Sequence, residues 1–110
     1  MRVELSKDAD KMLCVLYKEY LQRRKDGMPK ADAMCFEDGY MKGIKPLSDW
    51  LEADISATQH ELADLGCLKE SIDGSCYLTE SAVTILENRF KNGLKDVVSF
   101  LASILPTFFA

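Results

Sequence analysis

The sequence predicts a mainly helical α+β domain with one small β-hairpin. Apolar residues recur at steps of three and four in several separate segments, the mark of helices that bury one face. One tight-turn signal, Asp73-Gly74, stands between two short strand-like stretches. The chain has 110 residues, of which 47% are hydrophobic and 29% charged, enough to bury a core without disulfide or metal support.

Ser6 is placed to cap the first helix, because its hydroxyl can accept a free backbone N–H. Behind it Ala9, Met12, Leu13, Leu16, Tyr17, Tyr20 and Leu21 line one face of a helix over residues 7–25. Arg23, Arg24 and Lys25 sit in its last turn, where cations suit the negative end of the helix dipole, and Asp26, Gly27 and Pro29 break it. Residues 30–41 read as a short second helix, with Ala31, Met34, Cys35 and Phe36 inward, followed by a loop over residues 43–46. Ser48 or Asp49 can cap a third helix whose buried stripe is Leu51, Ile55, Thr58, Leu62 and Leu65, and Gly66 ends it.

Residues 67–71 and 76–78 are the two hairpin strands. A hairpin this short is marginal alone and must pack on helices. Thr79 caps a fourth helix over residues 80–92, with Ala82, Val83, Leu86 and Phe90 inward, and Gly93 breaks it. A last helix follows, marked by Leu94, Val97, Val98, Leu101, Ile104 and Leu105 and stopped by Pro106. The chain thus divides into a domain over residues 1–92 and an apolar helix and tail over residues 93–110, packed on that domain or dimerising.

The net charge of −4 does not suggest avid binding to nucleic acid or to an anionic membrane, though it leaves room for a local basic patch. The start, MRVELSKDADK, lacks the basic segment and apolar run of a signal peptide, and no stretch of about 18 apolar residues occurs, so a cytoplasmic location is expected. Cys14, Cys35, Cys67 and Cys76 form no Cys-x-x-Cys pair, and the single histidine, His60, is seven residues from Cys67. That is poor material for a zinc site. Reduced, structural cysteines and no metal or cofactor are expected.

The stretch Glu61-Leu62-Ala63-Asp64-Leu65-Gly66-Cys67-Leu68, followed by Cys76-Tyr77-Leu78-Thr79-Glu80-Ser81-Ala82, resembles the winged-helix (winged helix-turn-helix) family. Such proteins often end the third helix in a Leu-x-x-Leu-Gly pattern and enter the next helix through Tyr-x-Leu-Thr-x-x-Gly. The chain departs from this at Ala82, where those families often have glycine. The resemblance covers residues 47–90 well and implies a winged helix with an extra apolar C-terminal helix. The overall plan is also loosely similar to the small YjcQ-type proteins of Firmicutes and their phages, through architecture and the apolar end more than through any motif. The fold resemblance implies duplex DNA as a partner. The second likeness implies a phage or mobile-element setting.

On that reading Ser56, Gln59 and His60 of the third helix would meet base edges, with Lys69 of the hairpin and Arg23, Arg24 and Lys25 on phosphates. The charges oppose it. No Lys or Arg occurs from Pro46 to Leu68, and the exposed side of that helix carries Asp49, Glu52, Asp54, Glu61 and Asp64. Affinity for DNA comes from the opposite sign. Cations cluster elsewhere, at residues 23–30, at Lys42 and Lys45, and at Arg89, Lys91 and Lys95, so a phosphate-binding face requires two of these groups to converge.

The final fourteen residues, VVSFLASILPTFFA, carry no charged side chain yet are too short to span a bilayer. Leu94, Val97, Val98, Leu101, Ile104 and Leu105 form a seam that either packs on its own domain, pairs with a second copy, or rests on a membrane or another partner. Phe100, Phe108 and Phe109 add further apolar surface. No catalytic motif is present: no phosphate loop, no dinucleotide fingerprint, no nucleophile motif around His60. Two expectations follow: a small DNA-binding transcriptional regulator, dimeric through the last helix, or a non-catalytic protein-interaction module on the same fold.

Overall fold

The computed structural model describes residues 5–104. The elements are α1 (Lys7–Lys25), α2 (Lys30–Ala33), β1 (Cys35–Phe36), α3 (Tyr40–Gly43), α4 (Lys45–Ser48), α5 (Glu52–Asp64), β2 (Leu68–Glu70), β3 (Cys76–Leu78), α6 (Glu80–Arg89) and α7 (Leu94–Ile104). The strands form an antiparallel sheet in the order β1-β3-β2. Helices followed by a hairpin whose second strand also pairs with the strand after α2 give a mainly helical α+β arrangement compatible with a winged-helix shape, and α7 is the additional helix.

The nineteen-residue α1 is the axis of the molecule. Its first turn is closed by Ser6, whose Oγ accepts the Ala9 N–H at 3.2 Å, and Arg23, Arg24 and Lys25 occupy its last turn. The expected single apolar face is too narrow a description. Six consecutive residues, Met12, Leu13, Cys14, Val15, Leu16 and Tyr17, are buried. A helical stretch that is apolar on every side is a buried one, and α1 is in contact with α2, α5, α6 and α7.

The expected helix over residues 30–41 is replaced by three short pieces. One turn of helix, Lys30–Ala33, leads into the strand Cys35–Phe36, and a second turn, Tyr40–Gly43, follows. Cys35 pairs with Tyr77 and Phe36 with Cys76, so the hairpin draws this segment into the sheet and tertiary pairing overrides the local helical pattern. Of the residues expected inward, Met34 and Phe36 are buried, Cys35 is half-buried and Ala31 is exposed. The loop expected over residues 43–46 is partly helical, since Pro46 sits in the first turn of Lys45–Ser48.

The helix α5 starts later than expected. Leu51, not Ser48 or Asp49, occupies its N-cap, and no side chain caps it. Within the expected stripe Ile55, Thr58 and Leu62 are buried, whereas Leu51 is 70% and Leu65 40% exposed. Gly66 then takes φ +79° and turns the chain toward the hairpin. In the hairpin loop only Gly74 has positive φ; Asp73 does not, and its carboxylate instead accepts the Ser75 N–H at 3.0 Å. Thr79 caps α6 as expected, accepting the Ala82 N–H at 3.1 Å and donating to the Gly66 carbonyl at 2.7 Å. That helix ends at Arg89, short of the expected residue 92, and Ala82, Val83, Leu86 and Phe90 all face the core.

The last helix is turned inward. Val97 and Leu101 are fully buried, and Leu94, Phe100 and Ile104 pack against the same core. Phe100 lies 5.7 Å from Phe90 and beneath the Arg89 guanidinium, 4.5 Å from its ring centre. Val98 is half-buried, while Leu105, Pro106, Phe108 and Phe109 lie outside the described residues. Among the described residues no helix is long and apolar enough to cross a membrane.

Candidate interaction surface

The outward side of α5 presents Glu52, Asp54, Ser56, His60 and Asp64 to solvent. Glu61 turns away from this face: its carboxylate accepts the Ser6 hydroxyl at 3.0 Å and the Ser6 N–H at 3.3 Å, tying the start of α1 to α5. Gln59 and His60 are joined by a group from the hairpin. The Glu70 carboxylate lies 2.7 Å from His60 Nδ1 and accepts Gln59 Nε2 at 3.3 Å. Strand alternation places it there. Leu68 pairs with Leu78, Lys69 with Tyr77 and Glu70 with Cys76, so Lys69 points to the outer sheet face and Glu70 to the face that meets α5. The same carboxylate adds to burial in pushing the Cys76 thiol up to about 12.

Between α5, the 37–42 turn and the start of the hairpin lies an open cleft of about 530 Å³. Ser56, Gln59 and His60 line it together with Glu70, Glu37, Asp38 and Lys42. The ammonium of Lys42 is turned onto the carbonyls of Ser48 and Trp50, where it closes the turn into α5. Asp38 presses on the hairpin: its Cγ lies 2.6 Å from where a Cβ on Gly74 would stand, and with φ +90° that position suits glycine twice over.

Several of the basic residues have partners of their own. Arg23 donates to the Cys35 carbonyl at 2.6 Å and to that of Ala33 at 3.4 Å, and its guanidinium lies 4.6 Å from the Phe36 ring centre and 5.0 Å from that of Tyr40. It fastens the end of α1 to β1. Arg24 donates to the Met28 carbonyl at 3.0 Å, and Lys25 is exposed. Lys30 pairs with Glu80 at 3.0 Å, and that hydrogen bond raises its pKa. Arg89 holds Asp10 through two bonds, at 2.6 and 3.2 Å. Asp10 and Arg24 stand fourteen residues apart on α1, about 21 Å along its axis, so the two largest basic groups lie at opposite ends of that helix.

Of the residues singled out from the sequence, the fold therefore gathers Ser56, Gln59 and His60 at one cleft. It leaves Lys69 on the other face of the sheet and Arg23, Arg24 and Lys25 at the end of α1. Sequence reasoning missed Glu70, Glu37 and Asp38. For Glu70 a signal existed: period-two alternation through Leu68-Lys69-Glu70 puts the carboxylate on the same face as the buried leucine. The cysteines are free of disulfides, with Cys14, Cys67 and Cys76 buried and Cys35 half-buried. Among the described residues no group of His, Cys, Asp or Glu is arranged to hold a metal ion. No family model matches the chain, and neither the curated proteins nor the solved structures include a match.

Proposed function

We propose that the chain is a non-catalytic protein-interaction module built on the winged-helix shape. The observation that carries this reading is the state of α5. Glu52, Asp54 and Asp64 face solvent on it, and its two best hydrogen-bonding side chains, Gln59 and His60, are joined to Glu70. Carboxylates repel phosphates, and four of the cations that could offset them, Arg23, Lys30, Lys42 and Arg89, are engaged with carbonyls or carboxylates. A second reading, a DNA-binding regulator, draws support from the element order itself and from the exposed Ser56, Lys69 and Lys25. Fold alone is a weak warrant for function. A dimer in either setting would have to form without Val97 and Leu101, which the domain's own core already covers.

Fluorescence anisotropy with an arbitrary labelled duplex separates the two. Non-specific DNA binding is electrostatic and needs no known operator. The interaction module is expected to leave the duplex free at low salt up to about 100 µM protein, the weak end of ordinary non-specific binding at physiological salt, which low salt only strengthens. Salt-sensitive micromolar binding would overturn it in favour of the regulator.

A further inference from the structure

We propose that the cleft between α5 and the hairpin is a docking groove for a short segment of another protein, one that carries an apolar side chain flanked by lysine or arginine. This rests on the reading of the chain as an interaction module and names the chemistry of its partner. The groove, about 530 Å³, falls within the size range of pockets that enclose a compact ligand or a few side chains. Its floor is apolar, formed by Met41, Ile55 and Cys76, all buried in the core. Its walls carry Glu37, Asp38 and Glu52, and none of the three has an ion-pair partner among the described residues. The cation on the wall, Lys42, is directed onto backbone carbonyls. An incoming positive charge is therefore complemented, and a phosphate is not.

Exposed apolar residues sharpen the assignment. Isolated exposed leucines are ordinary, but the two most exposed large apolar side chains among the described residues both stand next to lining residues along the chain. Leu51, 70% exposed, directly precedes the wall residue Glu52. Ile72 is fully exposed between the lining residues Ser71 and Gly74. An apolar floor walled by carboxylates without ion pairs, with uncovered apolar side chains adjoining its lining residues along the chain, matches a segment that is apolar and basic together. A nucleic acid would meet like charge, and a bare metal ion would find no ligand set.

The test pans a random dodecapeptide phage library against the full chain, then titrates the synthesised winners into ¹⁵N-labelled protein. The enriched peptides are expected to carry Lys or Arg within two residues of a large apolar residue. Amide shifts should centre on Asp38, Ser56, His60, Ser71 and Gly74. The double variant Glu37→Gln/Glu52→Gln should weaken binding about ten-fold, the scale for removing two exposed charges at short range. Ile72→Ser should weaken it further, and Glu87→Gln on α6 should leave it unchanged; an unaltered amide spectrum certifies each variant as folded. No enrichment, winners without basic residues, or binding indifferent to the double variant overturns the proposal. So does concentration-dependent shifting of the same amides in the protein alone, which would make a second copy the occupant. Shifts confined to the separate hollow around Leu65 and Ile85 would sink the groove but keep the interaction module. Duplex DNA shifting the α5 amides would sink both.

Discussion

The helices α1 and α5 have apolar patterns of the same kind and opposite roles. In α1 the pattern understates burial: residues between the expected stripe positions, Cys14 and Val15, are as covered as Leu13 and Leu16. In α5 it overstates burial, because the two ends of the stripe, Leu51 and Leu65, remain in solvent. The first helix is surrounded by four others, and the second lies at the edge of the molecule with a cleft along its side. A three-four spacing reports that a helix has an apolar face. The number of neighbours decides how much of the helix is hidden.

Truncations turn that contrast into numbers. Leu16→Ala is expected to cost about 2–5 kcal/mol by urea denaturation, the range for emptying a fully buried leucine site. Leu51→Ala and Leu65→Ala should each stay within about 0.5 kcal/mol, as exposed positions do. Equal losses at Leu16 and Leu51 would erase the distinction between the two helices.

Alkaline pH should probe α1 next. Burial, then Asp10, pushes the Cys14 thiol from its ordinary 9.0 to about 12, and burial pushes the Tyr17 phenol from 10.0 to about 12. Above pH 9 the unfolded chain sheds the thiol proton and above pH 10 the phenol proton, while the folded chain keeps both. The stabilisation is thus complete below pH 9 and is lost as pH rises toward about 12. Urea midpoints should fall from pH 8 to pH 10.5, and Cys14→Ala should make that fall shallower. A slope unchanged by Cys14→Ala would place the alkaline loss elsewhere, Cys76 being the next group to test.

The smallest effect concerns helix starts. Thr79→Ala removes a cap that serves both the Ala82 N–H and the Gly66 carbonyl, and should cost about 1 kcal/mol. The helix α5 begins without a side-chain cap. Leu51→Ser should therefore raise stability by up to about 1 kcal/mol. If it lowers stability instead, Leu51 has a packing role that its exposure conceals.

What the sequence disclosed follows from the range of the forces involved. Caps and stops act over three or four residues, so Ser6, Gly66 and Thr79 were legible, each taking the role its chemistry suggests, whereas α6 ends at Arg89, ahead of the expected stop at Gly93. The strand Cys35–Phe36 was not, because its partners Cys76 and Tyr77 lie some forty residues on and the local spacing mimics a helix. Arg23 looked like a dipole-compensating cation, and nothing local reveals that β1 will bring the Cys35 carbonyl to it. The cleft was half legible. Ser56, Gln59 and His60 stood out, but the carboxylates facing them come from the hairpin and from the turn after β1.

The hairpin is gripped from two sides. Glu70 joins one strand to α5, and Asp38 fills the space that a side chain on Gly74 would need. A hairpin held in this way is preset as a lip beside the cleft. Whatever enters beside it meets a surface already shaped, so association consumes little chain entropy on this side. Selectivity then lies in fit and charge rather than in closure. Enlarging Gly74 would act like a wedge, forcing Asp38 aside and springing that lip open without touching α5.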